Sequence, residues 1–336
     1  MAFDALIGSG ALRERLATDV REGKLSHAYI LEGAHGSGKR TLAMQLCAAL
    51  ACTNRQGGRL PCGTCLSCRK VLEGKCPDII RIDRGTKASI GVDDVRFLRA
   101  DVLTPPNDLD SKIYIIEDAD TMTVQAQNAL LLTLEEPPAY VLFLLLCQSA
   151  TAMLETIRSR APKITLCPVP TGDIRAHLMD TELAFAALNE AEREEILMIA
   201  GGSIGRAKEL LDAKERGPIA ARRGLAATFV EQQTGKWDGT QALGLMARMG
   251  SKREEILPVL VDVQTALRDL ALLKRTENAP LCFYTDRERA LAICDRTSLQ
   301  GILNLTERVE TCRRALLRNA NVKLALTTLF LMNHAT

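Results

Sequence analysis

The chain has 336 residues, 47% of them hydrophobic and 25% charged, a composition that suits two or three folded domains and excludes a disordered or low-complexity protein. Lysine and arginine (43) exceed aspartate and glutamate (41) by only two, so no strong net field draws the chain onto nucleic acid, and any DNA contact has to come from a local patch or a larger assembly. The N-terminal stretch carries Asp4 early and lacks the apolar core of a signal peptide, and no apolar run reaches the ~18 residues of a membrane span, so a cytoplasmic location is expected.

In chain order, "HAYILEG" (27–33) is a short apolar run ending in glycine, followed by "GAHGSGKRT" (33–41) and by apolar residues at helical spacing from Lys39 onward. This predicts a strand, a phosphate loop and a helix. The pattern G-x-x-x-x-G-K-[ST] is met at Gly33, Gly38 and Lys39 and broken at Arg40, where the Mg²⁺-binding hydroxyl belongs. In such a turn backbone N–H groups surround a phosphate, the helix N-terminus adds its dipole and the lysine its charge. Thr41 comes one residue late, rotated by ~100° around the helix, and does not simply replace that hydroxyl.

Next comes a run of cysteines. In a reducing compartment the chain's 11 cysteines are not expected to form disulfides. Cys52, Cys62, Cys65 and Cys68 supply four thiolates at spacings that fit a tetrahedral Zn²⁺ site, and four cysteines close the coordination sphere, which makes the role structural. Cys76, just before Pro77 and Asp78, reads as a bystander in this module (52–76). Cys47, Cys147, Cys167, Cys282, Cys294 and Cys312 read as small core residues. Arg69, Lys70 and Lys75 flank the cluster, but no Phe, Tyr or Trp occurs between 52 and 78, which argues against a nucleic-acid reader.

The runs "DIIRID" (78–83), "KIYIIED" (112–118) and "YVLFLLLC" (140–147) are apolar on both faces and separated by helical stretches, so a parallel sheet covered on both sides is expected through about residue 165. The strand at 112–118 ends in Glu117 and Asp118, as a strand does when it offers one carboxylate to Mg²⁺ and a second to an attacking water. The usual order is Asp then Glu; the reversal moves each carboxylate by a methylene, and catalysis is sensitive to such displacements.

Past residue 168 the strand signals stop. Residues 190–215 read as two helices joined at Gly201-Gly202, and breaks at Arg216-Gly217-Pro218 and Thr234-Gly235 suggest a boundary near 215. The expected organisation is an α/β nucleotide-binding domain (1–167), a small helical domain (168–214) and an all-helical C-terminal domain (215–336). Trp237, within 234–241, reads equally as linker or partner contact.

The order of phosphate loop, four-cysteine insertion, acid-ended strand, "NALLLTLEEPP" (128–138), apolar strand and "TIRSRA" (156–161) resembles the clamp-loader subunits of bacterial DNA polymerase III, members of the AAA+ superfamily. The motif-bearing likeness covers roughly residues 5–210, and the helical C-terminus looks like that family's collar domain. The resemblance implies an AAA+ α/β domain with a helical lid and an all-α collar. It implies that Gly36, Gly38 and Lys39 belong to the phosphate loop and that Cys52, Cys62, Cys65 and Cys68 are zinc ligands. Thr41, Glu117 and Asp118 would complete the nucleotide pocket. Ser159-Arg160 matches the family's Ser-Arg-Cys motif, with Ala161 in place of the cysteine; the arginine of that motif reaches a neighbouring subunit's ATP. The implied partners are gamma/tau and delta subunits, the sliding clamp and primer–template DNA, with ATP and Mg²⁺ at subunit interfaces.

Departures from the family's pattern fall in one place. Arg40 replaces the hydroxyl, the strand-end acids are reversed, and the polar sensor position falls near Cys147-Gln148. The lid motif, Gly-Ser-x-Arg-Asp-Ala in the motor subunits, reads "GSIGRA", with Gly205 in the arginine's place and Arg206 one residue late. Each weakens the chain's own hydrolytic site, whereas Arg160 is intact. The expectation is therefore the delta-prime branch of the family, a finger donor with a degenerate pocket. The alternative is a gamma/tau-type motor, in which Lys39 with Glu117 or Asp118 still turns over ATP.

Overall fold

The computed structural model describes residues 3–235, 238–276 and 278–331, so Trp237 lies outside the described residues. Two compact units are present: Met1–Leu178 with Gly202–Arg206, and Met179–Gly201 with Ala207–Thr336.

The first unit is built on five strands, β1 (Ala28–Glu32), β2 (Ile79–Ile82), β3 (Lys112–Ile116), β4 (Val141–Cys147) and β5 (Lys163–Thr165). They form one parallel sheet in the order β2-β3-β4-β1-β5. The four expected strands are present with slightly narrower bounds, and β5 is an addition on the β1 side. Its helices are α1 (Gly10–Glu22), α2 (Lys39–Ala51), α3 (Leu66–Leu72), α4 (Val92–Asp101), α5 (Val124–Glu135) and α6 (Glu155–Arg158).

The pleat sorts the strand residues into two cores. Tyr29, Leu31, Ile113, Ile115, Leu142 and Leu144 pack with Leu42 and Leu46 of α2. Ile30, Tyr114, Ile116, Phe143 and Leu145 pack with Val95 and Leu98 of α4 and Leu130 of α5. Both faces are buried, which is why the sequence shows unbroken apolar runs rather than alternation. Because all strands run the same way, the loops after β1, β3 and β4 emerge at one edge, where ligands bind in open parallel sheets.

At the opposite end of β2, Asp78 is fully buried and accepts the N–H groups of Asn107 (2.6 Å), Asp108 (2.6 Å) and Leu109 (2.8 Å). Burial alone would raise this carboxyl's pKa; the three N–H donors outweigh it and hold the group below the usual carboxylate range.

The chain continues as α7 (Thr171–Thr181), α8 (Leu183–Ala186), α9 (Glu190–Ala200), α10 (Ile204–Glu209), α11 (Ala213–Thr234), α12 (Gly239–Arg248), α13 (Arg253–Leu273), α14 (Arg287–Cys294), α15 (Leu299–Leu317) and α16 (Val322–Leu331). The second unit is helical, with Phe229 and Val230 of α11, Val263 and Leu267 of α13 and Val309 and Leu316 of α15 in one core. The expected helix junction at Gly201-Gly202 is present, Gly201 ending α9 at φ +56°. The expected break at 216–218 is not: α11 runs through it, its N-terminus capped by Asp212. Pro218 leaves the Lys214 carbonyl without its helical donor, a cost of about 3 kcal/mol, and burial of Ile219, Ala226, Phe229 and Val230 along the same helix offsets it. Among the described residues no helix is long and apolar enough to cross a membrane.

Candidate functional site

The phosphate loop leaves the C-terminal end of β1 and is tied to β4 by the Gly33 N–H, which donates to the Cys147 carbonyl at 3.2 Å. Gly36 and Gly38 sit at φ +71° and +94°, backbone that side-chain-bearing residues rarely adopt. Lys39 opens α2 and folds back on the loop, its Nζ donating to the carbonyls of Gly33 (2.6 Å) and Ala34 (2.8 Å). Burial lowers its pKa from the ordinary lysine value, while Cys147, Asp120 and Asp118 nearby oppose that shift. Thr41 is the third residue of α2 and half-buried.

Glu117 continues the β3 pleat on the face of Ile113 and Ile115, the face that α2 covers. Its carboxylate is 4% exposed and ion-paired with Arg40 from α2 and with Arg81 from β2, whose Nε donates to Oε1 at 3.1 Å. Asp118 turns away at φ +49° and pairs with Arg84 at 3.3 Å. Asp120 Oδ2 accepts the Gln148 N–H at 3.0 Å, clipping the acid loop to the end of β4. Three arginines thus meet the two strand-end acids.

This arrangement fits a phosphate group and does not fit Mg²⁺. The glycine turn and Lys39 are those of a phosphate cradle. Mg²⁺ requires oxygen ligands in near-octahedral geometry; here residue 40 supplies no oxygen, and the buried carboxylate that would face the ion is held by guanidinium groups.

The segment 202–206 lies against the loop. Ser203 Oγ donates to the His35 carbonyl at 2.9 Å and the Gly205 N–H to the Gly36 carbonyl at 2.9 Å. A Cβ on Gly205 would lie 2.7 Å from Gly36 Cα, so the position at which the family pattern has arginine here admits no side chain. The Arg206 N–H donates to Ser203 Oγ at 3.1 Å.

Ser159 and Arg160 stand just past α6. Ser159 Oγ donates to the Thr156 carbonyl at 3.0 Å. Arg160 donates to the same carbonyl at 3.1 Å and is ion-paired with Glu135 at the end of α5 at 2.8 Å, remaining 36% exposed.

The sulfurs of Cys52, Cys62, Cys65 and Cys68 all lie within 4.8 Å of one another, with 3.9 Å between Cys62 and Cys68. Four thiolates at the ~2.3 Å Zn–S distance would stand about 3.8 Å apart, so the donor set fits a tetrahedral metal ion. The N–H groups of Cys65 and Cys68 donate to the sulfurs of Cys62 and Cys65, both at 3.4 Å. The first of these, with the N–H and hydroxyl of Thr64, brings the Cys62 thiol down to about 6; burial pushes Cys68 up. Cys76 is buried and outside the group.

The sequence points to the loop, the two acids, Ser159-Arg160 and the four cysteines, but not to Arg81, Arg84 and Asp120. The available signal was Arg81 itself: a cation among the isoleucines of "DIIRID", which stays half exposed on the edge strand and reaches the buried Glu117 of the neighbouring strand.

Residues 8–170 match the family model described as DNA polymerase III, delta subunit. The chain is 28% identical over 268 residues to DNA polymerase III subunit tau of Escherichia coli, covering 79% of this chain and 40% of that protein. It is 30% identical over 213 residues to subunit tau of Bacillus subtilis, covering 62% of this chain and 37% of that protein. A solved DNA polymerase III, gamma subunit-related protein from Thermotoga maritima is 18% identical, with a TM-score of 0.48 over 95% of this chain and 98% of that one. The chain spans about two-fifths of the length of these curated relatives.

Proposed function

We propose, from this kinship with DNA polymerase III subunits of the delta and tau/gamma kinds, that the chain is a clamp-loader component of the delta-prime type. It completes a neighbouring subunit's ATP site with Arg160, next to Ser159, and does not run one of its own. The observation that carries this reading is a contrast within one domain. Glu117 is buried under Arg40 and Arg81, whereas among the described residues Glu135 is the one acid that holds Arg160 at the surface.

In this reading residues 1–167 are the AAA+ domain, 168–214 its lid and 215–336 the collar that joins gamma/tau and delta partners in the cytoplasm. The assembly loads the sliding clamp onto primer–template DNA. The four cysteines hold a structural zinc ion. Arg160 places positive charge where a neighbour's γ-phosphate becomes more negative in the transition state, an effect worth about 10³–10⁵ in rate in other NTPases.

The test is ATP turnover by the reconstituted assembly with clamp and primed DNA, comparing Arg160→Ala with Lys39→Ala. A steep loss for the first and little change for the second supports a finger donor. The opposite pattern supports the second reading, a gamma/tau-type motor, which the names of the relatives favour.

A further inference from the structure

We propose that the metal place of this chain's nucleotide pocket is filled by its own arginines, Arg40 and Arg81 acting together as a resident substitute for the divalent cation. This deepens the reading of a retired pocket and rests on it only in taking nucleotide as the ligand that the pocket once held.

The argument starts from burial. A carboxylate 4% exposed at the end of a packed strand has to be paired, because an isolated buried charge is very costly. In a working site of this design a hydroxyl after the loop lysine and the strand-end carboxylate share a doubly charged ion. Here two guanidinium groups bring the same formal charge to the same carboxylate, one from the hydroxyl's position and one from the neighbouring strand. Arginine stays charged throughout the accessible pH range, so no change of pH empties the place. Among the described residues the other acids of this edge are engaged as well, Asp118 by Arg84, Asp120 by the Gln148 N–H, Glu32 by Lys163 and Asp83 by the Gly85 N–H. An entering divalent ion would meet carboxylates that are already engaged and would have to displace both guanidiniums from Glu117. Arg40 is therefore a specificity residue that excludes metal, and not merely a lost ligand.

The experiment measures Mn²⁺ binding in the presence of ATP by the full chain, followed through the electron paramagnetic resonance signal of free Mn²⁺. Wild type and Glu117→Gln are expected to bind equally weakly. Arg40→Thr/Arg81→Gln restores a hydroxyl near the position and frees the carboxylate, and is expected to bind Mn²⁺–ATP at least about tenfold more tightly. Adding Glu117→Gln should remove that gain. Wild-type binding that depends on Glu117, or a folded double variant with no gain, overturns the proposal. If the double variant melts early, Arg40→Thr alone decides: with one guanidinium fewer to displace, a smaller Glu117-dependent gain is expected, and its absence overturns the proposal. These outcomes are independent of the Arg160 assay, so the two readings can fail separately.

Discussion

Arg160 and Glu135 form an ion pair at 2.8 Å, with both side chains more than a third exposed, where α5 ends and the chain leaves α6. Exposed pairs of this kind contribute roughly 0.2–1 kcal/mol, so the guanidinium is positioned cheaply and released cheaply.

Glu135→Gln is accordingly expected to leave urea stability within about 1 kcal/mol of wild type and to leave turnover by the assembled complex nearly unchanged. Arg160→Ala should cost that turnover about 10³-fold or more. Equal losses for the two variants in steady-state ATP hydrolysis would mean that Glu135 positions the arginine and does not merely park it.

Cys65→Ala is expected to abolish tight metal binding, read as zinc per chain by elemental analysis. Urea stability should fall by about 4 kcal/mol if free metal exceeds its Kd a thousandfold. Cys76→Ala should retain the metal, because its sulfur lies outside the four-sulfur group. Equal metal loss in both variants would contradict the ligand set.

Asp78 sets a pH dependence. Its carboxyl is held below the usual range in the folded protein, so its contribution is fully present above the unfolded value of about 3.9 and is lost as pH falls through the lower, folded value. Asp78→Asn should lower stability by about 1.5–3 kcal/mol at neutral pH, and should flatten that part of the acid limb in unfolding curves measured between pH 5 and 2. A parallel acid limb in the variant would assign the dependence to other groups.

Gly205→Ala should disturb the close contact with the phosphate loop, since its Cβ would stand 2.7 Å from Gly36 Cα. A loss of about 1–3 kcal/mol in urea unfolding is expected, the usual cost of forcing an added methyl into a packed contact. Gly201→Ala tests backbone strain alone: its φ is +56°, but no atom lies within 4 Å of the added carbon. The two losses should therefore differ in origin, with only the first changing proteolytic cleavage of the loop at 33–38.

The sheet was legible because β1, β3 and β4 are buried on both faces and the half-buried edge strand β2 keeps three isoleucines, so all four leave apolar runs; β5 was not, because three residues in an exposed-buried-exposed pattern resemble any loop. The helix through Pro218 escaped for a different reason. Local propensity argues for a break there, and tertiary burial of α11 outweighs it. The cysteine cluster could be read directly, since its ligand spacing is written along the chain. The arginine clamp on Glu117 could not, because Arg40, Arg81 and Glu117 come from three elements and meet only when β2 and β3 pair in register.

The link between Asp78 and the loop at 107–109 reaches further than its hydrogen bonds. Lys70 of α3 pairs with Asp108 at 2.8 Å, and the Asp108 N–H is held by Asp78 at the entrance to β2. The cysteine helix and the outer strand of the sheet thus share one anchor. Losing the metal should loosen that edge as a cooperative block, so amide protons around Ile79 to Ile82 should exchange together with those of Leu66 to Leu72, ahead of β1 and β4.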